Sequence, residues 1–269
     1  MKHTYLLFFA LLTLAAFVAC DDIPEDERWI NRSEVEVERN VLIEDFTGQR
    51  CVNCPNATDV ITSLQANILA GYGKQHVVAV AIHGGSMSLS DATAMGLATA
   101  EGTAYHEGLG LTTWPCGRVN RGAVCNYDQW TAQAIQGMTQ EPLVLIDAKR
   151  GEGSIEVSVN TSKELPQNED TAEEDGPLSG VFMLTVWITE SDITALQFMP
   201  DGTINPNYIH NHVFRETLTS MGGDMIDYDG TKPFVATFAY TLDSRWNPDN
   251  IHFVVFVTRN GEVLQVEEF

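Results

Sequence analysis

The stretch from Val41 to Pro55, which reads VLIEDFTGQRCVNCP, decides the fold. Its first six residues are mostly apolar and predict a buried strand, Val41–Phe46. Cys51 and Cys54 follow after a short polar segment, and Pro55 suits the first turn of a helix. A Cys-x-x-Cys pair between a strand and a helix indicates a particular fold more specifically than the cysteine spacing alone does. It predicts a disulfide at a helix N-terminus.

The residues after the motif predict a β-α-β unit. Apolar residues at helical spacing indicate a helix over residues 55–70, ended by Gly71. The apolar run Val77–Ile82 predicts the next strand, which closes a unit of about 40 residues. Further helices are expected over Asp91–Leu109, broken by glycines, and over Tyr127–Met138. The first half of the chain is therefore predicted to be α/β.

The second half changes to short runs that alternate apolar and polar residues and predict strands. These runs are Leu143–Asp147, Ser154–Val159, Val181–Thr189, Phe234–Thr241, Ile251–Thr258 and Glu262–Val266. Asn260 and Gly261 favour a two-residue hairpin turn between the last two strands. We therefore predict an α/β domain over residues 35–140, followed by an antiparallel β-sandwich domain over residues 141–269.

The N-terminus has the order of a secretory signal: a basic start at Lys2, an apolar stretch, and small residues before Cys20. The apolar stretch is shorter than the roughly 20 residues that span a bilayer. A cysteine in this place resembles the lipidation site of bacterial lipoproteins. We expect residues 1–19 to be cleaved, Cys20 to carry the lipid anchor, and residues 20–34 to be an acidic tether. The tether resembles the export signal of surface lipoproteins in Bacteroidota, and a plain periplasmic linker is the alternative.

Charge and missing motifs exclude several classes of function. The chain has 37 acidic and 15 basic residues, a net charge of −22. Such a surface repels phosphate backbones, so we expect no nucleic-acid partner. Hydrolase elbows, phosphate-binding loops and dinucleotide fingerprints are absent from the sequence, and no cofactor or metal is predicted.

Four cysteines remain once Cys20 is lipidated, an even number in an oxidising compartment. The helix N-terminus should lower the pKa of Cys51 and make Cys54 the less exposed partner. A second disulfide, Cys116–Cys125, is the simplest interpretation of the other two, and exchange between Cys116 and Cys51 is the alternative. Oxidation outside the cytoplasm argues against the remaining possibility, a zinc site. Its ligands would be Cys51, Cys54, Cys116 and His83.

Two other groups of polar residues contain side chains that could bind a metal ion. His210 and His212 would point the same way in a strand, although packing at a loop or a domain junction is the simpler expectation. The acidic run Glu164–Asp175 lacks the order of a calcium-binding loop and is expected to be solvated.

The first half resembles thioredoxin in two places. Asp45 and Phe46 stand before Cys51 at the spacing of that family, and Trp114-Pro115 lies about 60 residues after the motif. The resemblance implies that Asp45 is buried beneath the disulfide and exchanges protons with the second cysteine. It also implies a cis bond before Pro115 that faces the disulfide. Arg50 replaces the tryptophan that usually precedes the first cysteine.

A wider resemblance is to the twenty-eight-kilodalton outer-membrane-protein family of Bacteroidota lipoproteins. The matching segments are Val41–Pro55, Trp114-Pro115 with Val119–Arg121, and Tyr208–Arg215. The resemblance implies a thioredoxin-like domain joined to a β-sandwich at the outer membrane. We expect a surface-exposed binding or adhesion-type module that retains the Cys51–Cys54 disulfide. The alternative is an extracytoplasmic thiol–disulfide oxidoreductase in which Cys51 attacks, Cys54 resolves and Asp45 moves the proton.

Overall fold

The computed structural model describes residues 38–162 and 180–269. The predicted signal peptide, Cys20, the tether and the acidic run lie outside these residues. The strands are β1 (Val41–Thr47), β2 (Val77–His83), β3 (Cys116–Val119), β4 (Val144–Gly151), β5 (Ser154–Thr161), β6 (Phe182–Glu190), β7 (Ile193–Phe198), β8 (Ile204–His210), β9 (Val213–Thr217), β10 (Asp224–Ile226), β11 (Phe234–Ala239), β12 (Ile251–Arg259) and β13 (Glu262–Glu268). The helices are α1 (Cys54–Tyr72), α2 (Ala100–Gly108) and α3 (Trp130–Met138). No helix in the described ranges has the length and apolarity to cross a bilayer.

The predicted β-α-β unit is present as β1, α1 and β2. The two strands are parallel, with Val41 opposite Val77 and Thr47 opposite His83. One face of α1 is buried, and it packs in one core cluster with residues of β1 and β2. The helix runs to Tyr72 because Gly73, with a φ of 69°, caps it in the left-handed conformation that glycine adopts easily. The Cys-x-x-Cys motif therefore lies where the sequence placed it.

A single large sheet contains strands from both halves of the chain. Its order is β13-β12-β6-β9-β2-β1-β3, with β10 also paired to β6. β3 lies at one edge, antiparallel to β1. β9 pairs with β2 through Ala81 and Val213 on one side and with β6 on the other. The predicted boundary between residues 140 and 141 thus separates strands that share a sheet, and the described residues form one compact unit.

Two smaller sheets complete the molecule, which is mostly strand. β4, β5 and β11 form an antiparallel sheet whose apolar side chains share a core with β6 and β12. β7 and β8 form a separate hairpin. The last hairpin, β12–β13, turns at Asn260 and Gly261, both with positive φ, as predicted. The mixed α/β content with several sheets is confirmed, and the β-sandwich remains a prediction.

Two parts of the secondary structure differ from the sequence prediction. The helix expected from Asp91 begins only at Ala100, because the backbone turns and the Asp91 N–H donates to the Ala98 carbonyl at 2.9 Å. The four strands β7 to β10 were not predicted. β8, for example, is interrupted by Pro206 and alternates poorly, which hides it from a periodicity analysis.

Candidate functional site

The Cys51–Cys54 disulfide lies at the junction of β1 and α1. The two cysteines are bonded, with their Cα atoms 5.4 Å apart, and they are only 5% and 2% exposed. The Cys51 N–H donates to the Gly48 carbonyl at 3.0 Å, which turns the chain toward the helix. Glycine is required at position 48, because a Cβ there would meet the Met87 carbonyl oxygen at 2.5 Å. The predicted bond is formed, and it is largely shielded from solvent.

Asp45 lies in the interior close to Cys54. Its side chain is 2% exposed, and its Oδ1 atom has no hydrogen-bond partner among the described residues. Burial without a compensating charge raises the pKa of Asp45 to about 8. Asp45 and Cys54 line the same small cavity. At neutral pH this carboxyl group is therefore mainly protonated and can exchange a proton without a large pH change.

The Trp114–Pro115 segment lies at the same end of the sheet. Its peptide bond is cis. β3 pairs with β1 so that Cys116 is opposite Phe46, which places Pro115 one residue further, at the level where β1 ends. The indole N–H of Trp114 donates to Nδ1 of His106 at 3.2 Å, and the two rings are stacked. The sheet register thus brings Asp45, Cys51, Cys54 and Pro115 to one end of the molecule.

A hairpin that sequence analysis missed lies against the disulfide loop. The Gln197 side-chain amide in β7 donates to the Cys51 carbonyl at 2.9 Å and to the Gly48 carbonyl at 3.3 Å. The Phe198 N–H donates to the Gln49 carbonyl at 2.8 Å. The Pro200-Asp201-Gly202 turn was the sequence signal that could have revealed this hairpin. We call β7 and β8 the cover hairpin, because they are joined to the loop that holds Cys51.

Gln197→Ala is expected to make the disulfide easier to reduce. The substitution removes the two side-chain hydrogen bonds from the cover hairpin to the Cys51 loop, each worth about 0.5–1.5 kcal/mol, and keeps the backbone bond of Phe198. The rate of reduction by a small dithiol should therefore rise about 2-fold to 10-fold. Gln65→Ala is the matched control, since the Gln65 side chain also donates to a main-chain carbonyl, that of Val77 at the start of β2, at 3.1 Å. Equal rates for both variants and the wild type would contradict the proposed role of Gln197.

The predicted Cys116–Cys125 disulfide is wrong in this structure, where both residues are free thiols. Cys125 pairs with Gly117 across a β-bridge, so its neighbour Cys116 points to the other face of the sheet. Cys116 belongs to the core on one face, whereas Cys125 packs against the core on the opposite face. Burial raises the pKa of Cys116 to about 11, which makes it a poor exchange partner for the disulfide.

The histidine pair is also different from the strand geometry that was predicted. His210 ends β8 and is buried beside His83, with ring centroids 5.4 Å apart. His212 lies in the following turn with a φ of 56°, and its Nδ1 is 3.8 Å from Glu268. The two side chains therefore lie in different environments. This agrees with the simpler expectation, that the histidines pack at a junction in the fold. No cluster of three or more metal-binding side chains occurs within the described ranges.

The Tyr208–Arg215 segment connects the two halves of the large sheet. Phe214 lies in the core beside Trp187. The Arg215 guanidinium forms an ion pair with Glu190 at 2.7 Å. Arg50, the other charged residue singled out in the sequence, is exposed. The segment thus explains how strands of the second half join β2.

Fold and site together define a mixed α/β protein with a Cys-x-x-Cys disulfide where a strand of its large sheet leads into a helix. The chain belongs to the Omp28 family of outer membrane proteins, whose family model, Outer membrane protein Omp28, matches residues 102–269. This match includes Trp114-Pro115 and Tyr208–Arg215 but begins after the Cys51–Cys54 motif. It supports an outer-membrane location for the protein.

Solved structures resemble this fold at low sequence identity. HBP35 of Porphyromonas gingivalis superposes with a TM-score of 0.64 at 15% identity, covering 87% of this chain and 76% of that one. A domain of the outer membrane lipoprotein Omp28 from Porphyromonas gingivalis gives a TM-score of 0.28 at 19% identity, covering 46% of this chain and 83% of its own. Only the first similarity is close enough to support the fold. No curated protein matches the chain.

Proposed function

We propose that this protein is a lipid-anchored outer-membrane thiol–disulfide oxidoreductase whose exchange centre is Cys51–Cys54. The observation that carries the proposal is the buried Asp45 carboxyl group beside Cys54, with one oxygen lacking a partner. An unsatisfied buried polar group costs about 1–3 kcal/mol, and a purely structural disulfide gains nothing from it. Groups whose pKa is raised in this way concentrate at functional sites. The geometry therefore favours the redox alternative over the binding module that the sequence favoured.

The reaction follows from the positions of the three groups. The Cys51 thiolate attacks a substrate disulfide, forming a bond to one substrate sulfur while the other leaves as a thiolate. In the minor, ionised form that a pKa of about 8 leaves near neutral pH, the Asp45 carboxylate takes the proton of Cys54, and the Cys54 thiolate attacks the Cys51 sulfur. The Cys51–Cys54 bond forms, the second substrate sulfur leaves, and two electrons have passed from the protein to the substrate. A dithiol reductant restores the two thiols, and a pKa of about 8 lets Asp45 take and release the proton near neutral pH.

Insulin-disulfide reduction with dithiothreitol as the reductant tests the proposal. The wild-type protein should accelerate the reaction, and Cys51→Ser should abolish the acceleration because no exchange can begin. Cys125→Ser is the matched control, since Cys125 is a free, half-buried thiol outside the disulfide, and it should retain activity. A wild-type protein no faster than dithiothreitol alone, or an active Cys51→Ser variant, would refute the redox function.

A binding or adhesion-type module remains the second candidate, favoured by the shielding of Cys51 beneath the cover hairpin. In that case the disulfide would only connect the helix start to the loop before it. Insulin reduction by the Gln197→Ala variant distinguishes the two functions. Insulin reduction that is absent in this variant as well as in the wild type would favour the binding module.

Anchoring through Cys20 and exposure at the cell surface form a separate part of the proposal. They are supported by the signal-like N-terminus, by the acidic residues after Cys20 and by membership of an outer-membrane family. Protease treatment of intact cells should remove the protein. Complete protection from the protease would contradict surface exposure.

A further inference from the structure

A groove lies beside the edge of the large sheet, on the outer side of β3. It is open to solvent and has a volume of about 700 Å³, and ligand sites commonly measure roughly 300–1,000 Å³. Residues 123–126 line it, together with Gln129, Gln133 and Gln136. Neither Cys51 nor Cys54 lines the groove, so it is separate from the disulfide.

Residues 123–126 carry a backbone edge that is not paired. Cys125 exchanges two hydrogen bonds with Gly117 of β3, at 3.0 and 2.8 Å, in an antiparallel bridge. In such a pair, the backbone groups of the next residue along the chain point away from the partner strand. The Val124 N–H and carbonyl therefore point outward, and neither has a hydrogen-bond partner in the part of the chain that the structure describes. The sheet thus ends beside the groove with a free donor and a free acceptor.

This edge lacks the residues that usually protect a strand edge from pairing with other chains. Charged side chains, especially lysine, and proline are the common protection. Residues 123–126 include neither a charged residue nor a proline. The Val124 side chain is 41% exposed. An uncharged, exposed edge in a chain with 37 acidic residues indicates that the edge pairs with another strand.

The side chains around this edge are neutral hydrogen-bonding groups. The amides of Gln129, Gln133 and Gln136 can each donate and accept, as the peptide groups of an extended chain do. None of the residues that line the groove carries a charge. The nearest carboxylate is that of Asp128, which adds to the effect of burial in raising the pKa of Cys125. Its negative charge disfavours an acidic ligand.

We propose that the groove binds an extended segment of another polypeptide, which carries uncharged side chains and adds as a strand to residues 123–126. The main chain of the ligand bonds to the Val124 N–H and carbonyl, as in other cases of strand addition. Its side chains on one face contact the three glutamines. The ligand needs no cysteine, so this binding activity goes beyond the exchange reaction and does not depend on it.

Cys125 reports whether the groove is occupied, because its free, half-buried thiol lines the groove. The probes are an array of hexapeptides without cysteine or charged side chains, applied to the mature protein. At about ten times the Kd of the tightest binder, only about one tenth of the grooves stay free, so alkylation of Cys125 by iodoacetamide should slow about tenfold. An array in which no peptide binds, or binding that leaves Cys125 equally reactive, would overturn the proposal.

Alternate N-methylation of the tightest-binding peptide tests the strand geometry in the wild-type protein. In an added strand, every second peptide N–H points to the edge, and the others point to solvent. Two versions of the peptide carry methyl groups on alternate nitrogens, one in each register. One version should bind about tenfold more weakly, whereas the other should bind like the unmodified peptide. Equal loss in both versions, or in neither, would overturn strand addition.

Val124→Pro removes the backbone donor that the ligand uses. Proline is tolerated on an edge strand where the N–H faces outward, so the fold should be retained while the peptide binds about tenfold more weakly. Ile135→Ala is the matched control, because Ile135 is exposed beside Gln136 on α3 but does not line the groove. If the proline variant does not fold, Gln136→Ala should show a loss of binding. Affinity equal to the wild type in the folded variant would contradict the proposed site.

A second copy of the same chain is the competing occupant of a free strand edge. Sedimentation equilibrium should show a monomer, and the reactivity of Cys125 should not change with protein concentration. A dimer whose formation protects Cys125 would show that the groove is an interface between copies, and the proposed ligand would be wrong. Insulin reduction does not enter any of these measurements, so a failure of the redox function leaves the groove proposal unaffected.

Discussion

Asp45→Asn is expected to raise the free energy of unfolding at pH 7 by several kcal/mol, on the order of 4. The Asp45 pKa is about 8 in the folded protein against 3.8 in the absence of burial. Between these values the unfolded carboxyl group is ionised, whereas the folded one retains its proton. Folding is therefore opposed increasingly as the pH rises from about 4 to 8. Asparagine has nearly the same shape and cannot ionise, so the variant escapes this penalty.

Urea unfolding of the oxidised protein at several pH values between 4 and 8 measures the effect. The difference between variant and wild type should be near zero at pH 4 and largest at pH 8. Taking this difference isolates Asp45 from His83 and His210, whose lowered pKa values reduce stability in the opposite direction, below pH 6.5. Asp147→Asn on exposed β4 is the control and should change little. A stability gain that does not vary with pH would show that Asp45 is ionised in the folded protein.

The same Asp45→Asn variant should exchange disulfides poorly. The variant removes the base of the proposed reaction, and the resolving step should slow by about 100-fold or more. A protein that becomes more stable while losing its reaction is the expected signature of a site that retains a destabilising group for function.

Glu44→Gln is expected to lower the free energy of unfolding by about 3–5 kcal/mol. Glu44 is completely buried, and its carboxylate accepts hydrogen bonds from Arg118 at 2.6 and 3.2 Å and from the Tyr105 hydroxyl at 2.7 Å. Arg121 lies 3.7 Å from the same carboxylate. Removing the negative charge would leave two guanidinium groups buried without a counterion.

Urea unfolding at pH 7 measures this loss, with Glu156→Gln on β5 as the control. Glu156 is exposed, so its substitution should change stability by less than about 0.5 kcal/mol. A loss at Glu44 no larger than that at Glu156 would show that the buried ion cluster does not stabilise the fold.

Glu44 and Asp45 show what sequence could and could not predict. Both are acidic residues within the mostly apolar stretch that predicts β1. Side chains alternate along a strand, so these two neighbours point to opposite faces of the sheet. Their different environments depend on partners from distant segments. Glu44 meets Arg118 and Arg121, whereas Asp45 remains without a charged partner. In the sequence, only the resemblance to thioredoxin distinguishes Asp45 from Glu44.

The β-α-β unit was predictable because its signals are local: an apolar strand, a proline at a helix start and apolar spacing along α1. The cover hairpin and β9 were not predictable, because their residues alternate weakly and their places depend on segments more than 100 residues away. β9 pairs with β2, and the cover hairpin is hydrogen-bonded to the loop that holds Cys51. The error at Cys116 and Cys125 has a similar cause. Even cysteine counts suggest a bond, but the pairing of Gly117 with Cys125 decides which faces the two thiols occupy.

Trapping the reaction intermediate tests the central claim most directly. Reduced Cys54→Ser protein is incubated with oxidised glutathione, and the modified residue is identified by mass spectrometry. Because the resolving sulfur is absent, the account predicts a stable mixed disulfide on Cys51, formed faster than on Cys116 or Cys125. Modification of Cys125 while Cys51 remains an unreacted thiol would contradict the claim that Cys51–Cys54 is an exchange centre.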